Sequence, residues 1–366
     1  MTDSTAAHDV QFMRRALELA REGWGQTAPN PMVGAVVVRN GRIVGEGFHA
    51  RYGEPHAEAN ALRVAGELAR GATMYVTLEP CRHHGKTPPC TEAILESGVE
   101  RVVIATADPT SAAGGGARVL REVGMLDVEV GLLEAEAREL NAPFFNAVKS
   151  DRPWTTLKLA VSIETAISND RGTTSLLTGA ESRAEVHRLR AGNDAIAVGV
   201  GTILADDSQL TVREGRSPRK PPVRVVFDRS LRTPLHSKVV TTARQVPTII
   251  LARDVTSRIA DSMRDAGVHI IATQDAREGL RRLHAAGIRS LLVEGGATLA
   301  RTVLSEGLVD RLVIFQAPVA LGPKALHAFD GAPPEVLRAL EYYPVLERRQ
   351  FGQDVMTVFS VRERSN

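Results

Sequence analysis

Short β-branched runs alternate with amphipathic helical stretches along almost the whole chain, and that alternation points to an α/β fold. Apolar residues recur at helical spacing from Val10 to Glu22 and stop at Gly23. Met32 to Val38 and Arg42 to Gly47 flank Asn40-Gly41, a dipeptide suited to a two-residue hairpin turn. Pro55 opens a helix that carries His56, Glu58 and Leu62. Thr73 to Leu78 reads as a buried strand, Thr91 to Ser97 as a helix and Val102 to Ala105 as a further strand. Composition shifts between Ala142 and Pro153, where two prolines bracket a polar stretch. A second series follows, with strands at Thr155 to Val161, Ala195 to Val200, Val223 to Phe227, Thr248 to Ala252, His269 to Ala272 and Ser290 to Val293. Helical patterns lie between most of these, which predicts a mainly parallel, doubly wound sheet.

A chain of 366 residues is too long for one ordinary core and comfortable for two. The expected division is a frayed tail over 1–9, a first domain over 10–147 and a second over 153–364. Net charge is +2 and aromatic residues make up 4 %, which disfavours a nucleic-acid-binding surface and leaves a small molecule as the expected substrate. No apolar run reaches the roughly 20 residues that cross a bilayer, and Met1 to Asp9 lacks the character of a signal peptide. The expectation is a cytoplasmic protein with no membrane partner. Apolar segments such as Leu312 to Val319 are candidates for pairing across a two-fold axis in a homo-oligomer, a dimer or a tetramer.

The two cysteines, Cys81 and Cys90, are a poor disulfide framework in such a chain, so their neighbours decide what they do. His56-Ala57-Glu58 is followed by Pro80-Cys81 and then, after eight residues, by Cys90. That is the order of the zinc-deaminase signature, H-x-E and then P-C-x-x-C, with a longer loop between the cysteines. His56, Cys81 and Cys90 would be three metal ligands, which leaves a fourth tetrahedral position for water, as a catalytic zinc requires. Glu58, near a helix start, would shuttle protons without ligating the metal. A purely structural zinc would want a fourth ligand, for which His83 and His84 are the available histidines in the intervening loop.

The loop Cys81-Arg82-His83-His84-Gly85-Lys86-Thr87-Pro88-Pro89-Cys90 is stiffened by two prolines and carries donors suited to a sugar phosphate. Together with Thr27-Ala28-Pro29-Asn30-Pro31-Met32-Val33-Gly34, Gly53-Glu54-Pro55-His56-Ala57-Glu58 and Thr77-Leu78-Glu79-Pro80-Cys81, it closely resembles the bacterial bifunctional deaminase/reductase family of riboflavin biosynthesis. The resemblance implies a cytidine-deaminase-like α/β/α sandwich with one Zn2+. Its substrate would be a diamino-hydroxypyrimidine bearing a phosphoribosylamino group. Asn30 and His49 would contact the base, and His83, Lys86 and Thr87 the ribose and phosphate.

The resemblance runs on through Asn193 to Thr202, Leu204-Ala205-Asp206-Asp207, Leu210-Thr211-Val212-Arg213, Glu294 to Leu299 and Gly307-Leu308-Val309-Asp310. It implies a dihydrofolate-reductase-like α/β second domain that uses NADPH to reduce ribosyl to ribityl. Ala160, Leu176, Thr202, Asp206, Gly296, Ala297 and Thr298 would hold NADPH. Thr174, Arg190, Leu210, Arg213 and Glu294 would hold the sugar-phosphate substrate. The physical logic is plain in part: Gly295-Gly296 at a helix start exposes backbone N–H groups, and guanidinium groups form bidentate bonds to phosphate. The family's Ser-Leu-Asp-Gly-Lys is here Ser162-Ile163-Glu164-Thr165-Ala166, its tryptophan is Leu176, its serine after Asp228 is Arg229, and its Asn-Pro after Asp108-Pro109 is Thr110-Ser111. Most of these departures fall in the second domain. The alternative they suggest is an intact deaminase with a degenerate reductase-like domain that serves binding or oligomerisation.

Overall fold

The computed structural model describes residues 3–361 except 86, 124–125, 171–172 and 174. It comprises two compact units, residues 1–149 and 150–366.

The first unit runs α1 (Asp3–Arg21), β1 (Gly34–Arg39), β2 (Arg42–Phe48), α2 (Ala57–Ala65), β3 (Thr73–Val76), α3 (Cys90–Ser97), β4 (Arg101–Ile104), α4 (Gly116–Glu122), β5 (Asp127–Val130), α5 (Glu134–Leu140) and α6 (Ala142–Lys149). Its sheet has the order β2-β1-β3-β4-β5, with β1 antiparallel to both neighbours and β3, β4 and β5 parallel. Arg39 pairs with Arg42 across Asn40-Gly41, whose φ values of 51° and 73° are those of a hairpin turn with both central residues left-handed. Alternate residues of β1 face opposite ways. Ala35 and Val37 join Ala57, Ala61, Ile94 and Leu120 on one face, and Val36 and Val38 join Met13, Leu17 and Ala137 on the other. The result is a three-layer α/β/α sandwich.

The stretch read as a frayed tail is helical from Asp3. Asp9 is buried, accepting bonds from the Tyr75 hydroxyl at 2.5 Å and from the Arg101 guanidinium at 2.7 Å. These partners lie far away in sequence, so a local polar pattern gave no hint that the segment is anchored.

The second unit runs β6 (Trp154–Val161), β7 (Ala166–Ser168), α7 (Ala180–Ala191), β8 (Ala195–Gly199), α8 (Val200–Asp206), β9 (Val223–Phe227), α9 (Lys238–Thr241), β10 (Thr248–Ala252), α10 (Arg258–Asp265), β11 (His269–Ala272), α11 (Ala276–Ala285), β12 (Ser290–Val293), α12 (Ala297–Ser305), β13 (Arg311–Gln316), β14 (Leu326–His327), α13 (Pro334–Leu340), β15 (Val345–Phe351) and β16 (Asp354–Ser360). Nine strands form one sheet in the order β11-β10-β9-β8-β12-β6-β13-β16-β15, parallel from β11 to β13 and closed by the antiparallel pair β16 and β15. Leu157, Ala197, Val225 and Val293 pack with Leu280 and Val303 on one face, and Ile196, Val226 and Ile250 pack with Ile203, Val240 and Met263 on the other. The expected doubly wound parallel sheet is there, and the antiparallel edge is an addition.

Leu312 to Val319 does not offer a surface for two-fold pairing. Most of it is β13, hydrogen-bonded on both sides by β6 and β16, with Leu312, Val313, Phe315 and Ala317 buried. A continuous apolar run marks a strand covered on both faces as readily as an interface. Among the described residues, no helix is long and apolar enough to cross a membrane.

Candidate functional site

In the first unit, α2 lies directly against β2. A Cβ at Gly47 would run into the backbone of Ala57 and Ala61, so only glycine lets the helix approach this closely. That contact fixes the start of α2, where His56 caps the helix and Glu58 occupies its first turn. Cys81 lies in the loop after β3, and Cys90 opens α3. The His56 Nδ1 is 3.6 Å from the Cys81 Sγ and 3.3 Å from the Cys90 Sγ, and the Cys90 N–H donates to the Cys81 Sγ at 3.4 Å. All three ligand atoms lie within 4.8 Å of one another, a spacing compatible with one small cation. One nitrogen and two sulfur donors, with no fourth side chain among the described residues, are the set expected around a zinc ion that retains an open position.

Glu58 is 3 % exposed beside this cluster, and burial pushes its carboxyl above the ordinary carboxylate range. The Cys90 thiol beside it lowers the Cys81 thiol, while the Cys81 side chain raises His56. His49 is buried with its ring centroid 5.2 Å from that of His56 at an interplanar angle of 81°. Its Nε2 lies 3.3 Å from the Asn30 Nδ2 and its Nδ1 3.3 Å from the Pro55 carbonyl. Asn30 and His49 are therefore brought to the edge of the cluster together. His83 is exposed, Thr87 is half-buried, and Lys86 lies outside the described residues. His84 is drawn toward Glu92, 3.3 Å from its carboxylate.

The sequence did not flag Glu79. Its buried carboxylate accepts from the N–H groups of Asp108, Gly115 and Ala117 at 3.0, 3.1 and 2.9 Å, and so ties the 108–117 segment beside Cys81.

In the second unit several of the expected residues lie at the carboxyl ends of three adjacent strands, β8, β12 and β6, where ligands of open α/β sheets bind. Thr202 follows β8, Glu294 to Thr298 follow β12, and Ala160 lies near the end of β6. Gly296 caps α12 in extended conformation with no side-chain bond to the first-turn N–H groups, and a Cβ on it would lie 3.9 Å from the Thr202 hydroxyl. The first-turn amides of a nine-residue helix, a hydroxyl and two glycines suit the phosphates of a dinucleotide. Ala297 is buried and Thr298 exposed.

Arg190 and Glu294 form a bidentate ion pair, Nε to Oε1 at 2.5 Å and Nη2 to Oε2 at 2.9 Å, and the Arg190 Nη1 donates to the Thr211 carbonyl at 3.0 Å. The two side chains are 12 % and 11 % exposed. Burial would raise the Glu294 carboxyl, but the charge and bonds of Arg190 together with Lys158 bring it down to about 2. Lys158, on β6, was missed from the sequence because it sits inside an apolar strand. Burial lowers its ammonium, against the pull of Glu294. Arg213 and Asp206 are exposed. The Leu210 side chain is 2 % exposed and belongs to the apolar core, which leaves its backbone as the part that could face a ligand. Leu176 is 79 % exposed, and Thr174 lies outside the described residues.

The first unit's fold and donor cluster define a zinc-dependent nucleobase-type deaminase, joined to a second, reductase-type α/β unit. Residues 6–106 match the family model of the cytidine and deoxycytidylate deaminase zinc-binding region, and residues 153–353 match that of the RibD C-terminal domain. The chain belongs to the RibD family of riboflavin biosynthesis proteins. It is 44 % identical over 317 residues to the RibD of Aquifex aeolicus, covering 86 % of this chain and 88 % of that one. To the RibD of Escherichia coli it is 38 % identical over 371 residues, covering 95 % and 98 %. The structure of Acinetobacter baumannii RibD superposes with a TM-score of 0.85 at 36 % identity, covering 97 % of this chain and 99 % of that one. A diaminohydroxyphosphoribosylaminopyrimidine deaminase/5-amino-6-(5-phosphoribosylamino)uracil reductase from Thermotoga maritima gives 0.83 at 35 % identity with the same coverage. The chain is a bifunctional enzyme of riboflavin biosynthesis, a zinc deaminase and an NADPH-dependent reductase.

Proposed function

We propose that residues 10–147 hydrolyse the exocyclic amine of a diamino-hydroxypyrimidine carrying a phosphoribosylamino group, and that residues 153–364 then reduce its ribosyl group to ribityl. The observation that carries the first half is the convergence of His56, Cys81 and Cys90 around one point with buried Glu58 beside it. His56, Cys81 and Cys90 would hold a zinc ion, which when bound would supply the Lewis acidity that makes water a nucleophile at neutral pH. Glu58, buried beside the cluster, would accept a proton from the attacking water at its carboxylate and deliver protons to the ring nitrogen and then to the departing amine, so that water and substrate would become the carbonyl product and ammonia. Asn30 and His49 hold the base edge. His83, Lys86 and Thr87 take the ribose and phosphate.

The Gly296-Ala297-Thr298 amides, Thr202, Asp206 and Ala160 would hold NADPH, with Leu176 covering its exposed side, and the cofactor when bound would supply the hydride of the second reaction. Arg190, Arg213 and Glu294, with Thr174 and the Leu210 backbone, orient the sugar phosphate. Lys158 adds a positive charge beside Glu294 in the same site.

Replacing Glu58 with Gln tests the deaminase assignment. Ammonia release should fall at least about 100-fold while zinc content stays near one per chain. Loss of zinc together with activity would make Glu58 a structural residue instead. The reading also places the enzyme in the cytoplasm, in keeping with its bacterial relatives, and as a homo-oligomer, for which the outer edge of β15, paired only with β16 among the described strands, is a candidate surface. Sedimentation of the purified protein tests the assembly.

A further inference from the structure

We propose that His187 is a positioning residue of the reductase: it holds the backbone of the Leu210–Arg213 segment so that the Arg213 side chain faces the sugar phosphate. The inference rests on the reading of Arg213 as a substrate contact.

His187 and Arg190 lie three residues apart on α7 and so share one face of the helix. Both reach the same short segment. The Arg213 N–H donates to the His187 Nδ1 at 3.2 Å, and the Arg190 Nη1 donates to the Thr211 carbonyl at 3.0 Å. The segment needs such a clasp. Leu210 has a φ of 52°, in the left-handed region that a branched side chain adopts at a cost of order 1–3 kcal/mol. Such a conformation persists only where its surroundings over-determine it. The apolar core holds the Leu210 side chain, and α7 holds the backbone on its far side. Beyond that point the chain leaves the core and Arg213 is exposed.

An imidazole that accepts at Nδ1 must be neutral, with its proton on Nε2. The surroundings favour that form: His187 is 5 % exposed, and its burial and the charges of Arg190 and Arg213 lower its pKa against the weaker pull of Glu214 and Glu294.

The test uses the geometry of two amides. Asparagine carries its oxygen one bond beyond Cγ, where Nδ1 lies, whereas glutamine carries its amide one carbon further out, where Nε2 lies. The full-length variants His187→Asn, His187→Gln and Arg213→Ala are assayed for NADPH oxidation with the deaminated phosphoribosylamino pyrimidine, and separately for ammonia release from the undeaminated substrate as a control on the first unit. The expected result is a substrate KM raised about fivefold in His187→Gln with kcat changed less than about twofold, and a KM within about twofold of the parent in His187→Asn. Equal KM values for the Asn and Gln variants, or a loss confined to kcat, would overturn the proposal. If Arg213→Ala leaves KM unchanged, the substrate reading itself fails. That is a separate result, visible without reference to His187.

Discussion

Thr165 has a φ of 68°, in the left-handed region that favours glycine, the residue the family resemblance leads one to expect there. A β-branched residue in the left-handed region is a genuine outlier, because Cβ and its substituents crowd the following carbonyl. The turn is closed by backbone bonds that no side chain supplies: Thr165 N–H to the Ser162 carbonyl at 3.0 Å, and Ala328 N–H to the Thr165 carbonyl at 2.9 Å. Replacing Thr165 with Gly therefore removes strain without removing these bonds. The left-handed conformation costs about 1–2 kcal/mol, and the greater freedom of glycine in the unfolded chain returns about 0.5–1 kcal/mol of that. The net expectation is a gain of about 0.5–1 kcal/mol. For a unit of this size that is a rise of about 1–4 °C in its calorimetric transition. Thr165→Asn should recover part of the gain, since asparagine tolerates this region, and Thr165→Val should recover none. A transition that stays put or falls in Thr165→Gly, or rises equally in Thr165→Val, would refute the strain argument. The turn also carries Glu164, whose carboxylate accepts from the Leu321 and Gly322 N–H groups at 2.5 and 3.0 Å.

Further outcomes follow from the same site. Glu294 has its carboxyl held at about 2, below the unfolded value near 4.5, so its pairing stabilises the second unit above pH 4.5 and that contribution is lost as pH falls toward 2. Glu294→Gln should lower stability at pH 7 by about 3 kcal/mol and flatten this acid limb, read by denaturant titration at several pH values; an unchanged slope would place the acid sensitivity elsewhere. Leu176→Trp restores a flat face at a 79 % exposed position, and should lower the KM for NADPH by about two- to tenfold without touching ammonia release. No change there would remove Leu176 from the cofactor site.

What the sequence disclosed depended on how local each signal was. The Asn40-Gly41 turn, the His56 and Glu58 pair at a helix start and the Pro80-Cys81 step are all set by neighbours within a few residues, and each lies on the element expected of it. Lys158 was invisible because a single lysine in an eight-residue, mostly apolar strand does not disturb the pattern, and its meaning comes from Glu294, which follows the neighbouring strand β12. His187 and Glu79 likewise owe their roles to backbone amides 26 and 29 or more residues away. Asp9 was misread for the same reason. Leu210 shows the converse: a motif match does not reveal that burial turns its side chain into the apolar core.

The central claim is that one chain carries both activities in sequence, and coupled turnover tests it most directly. Ammonia release and NADPH oxidation are followed together on the zinc-loaded protein supplied with the phosphoribosylamino pyrimidine. One NADPH should be consumed for each ammonia released, and Glu58→Gln should silence both signals unless deaminated substrate is added. Steady ammonia release with no NADPH oxidation at saturating NADPH would contradict the account and leave the second unit without its assigned chemistry.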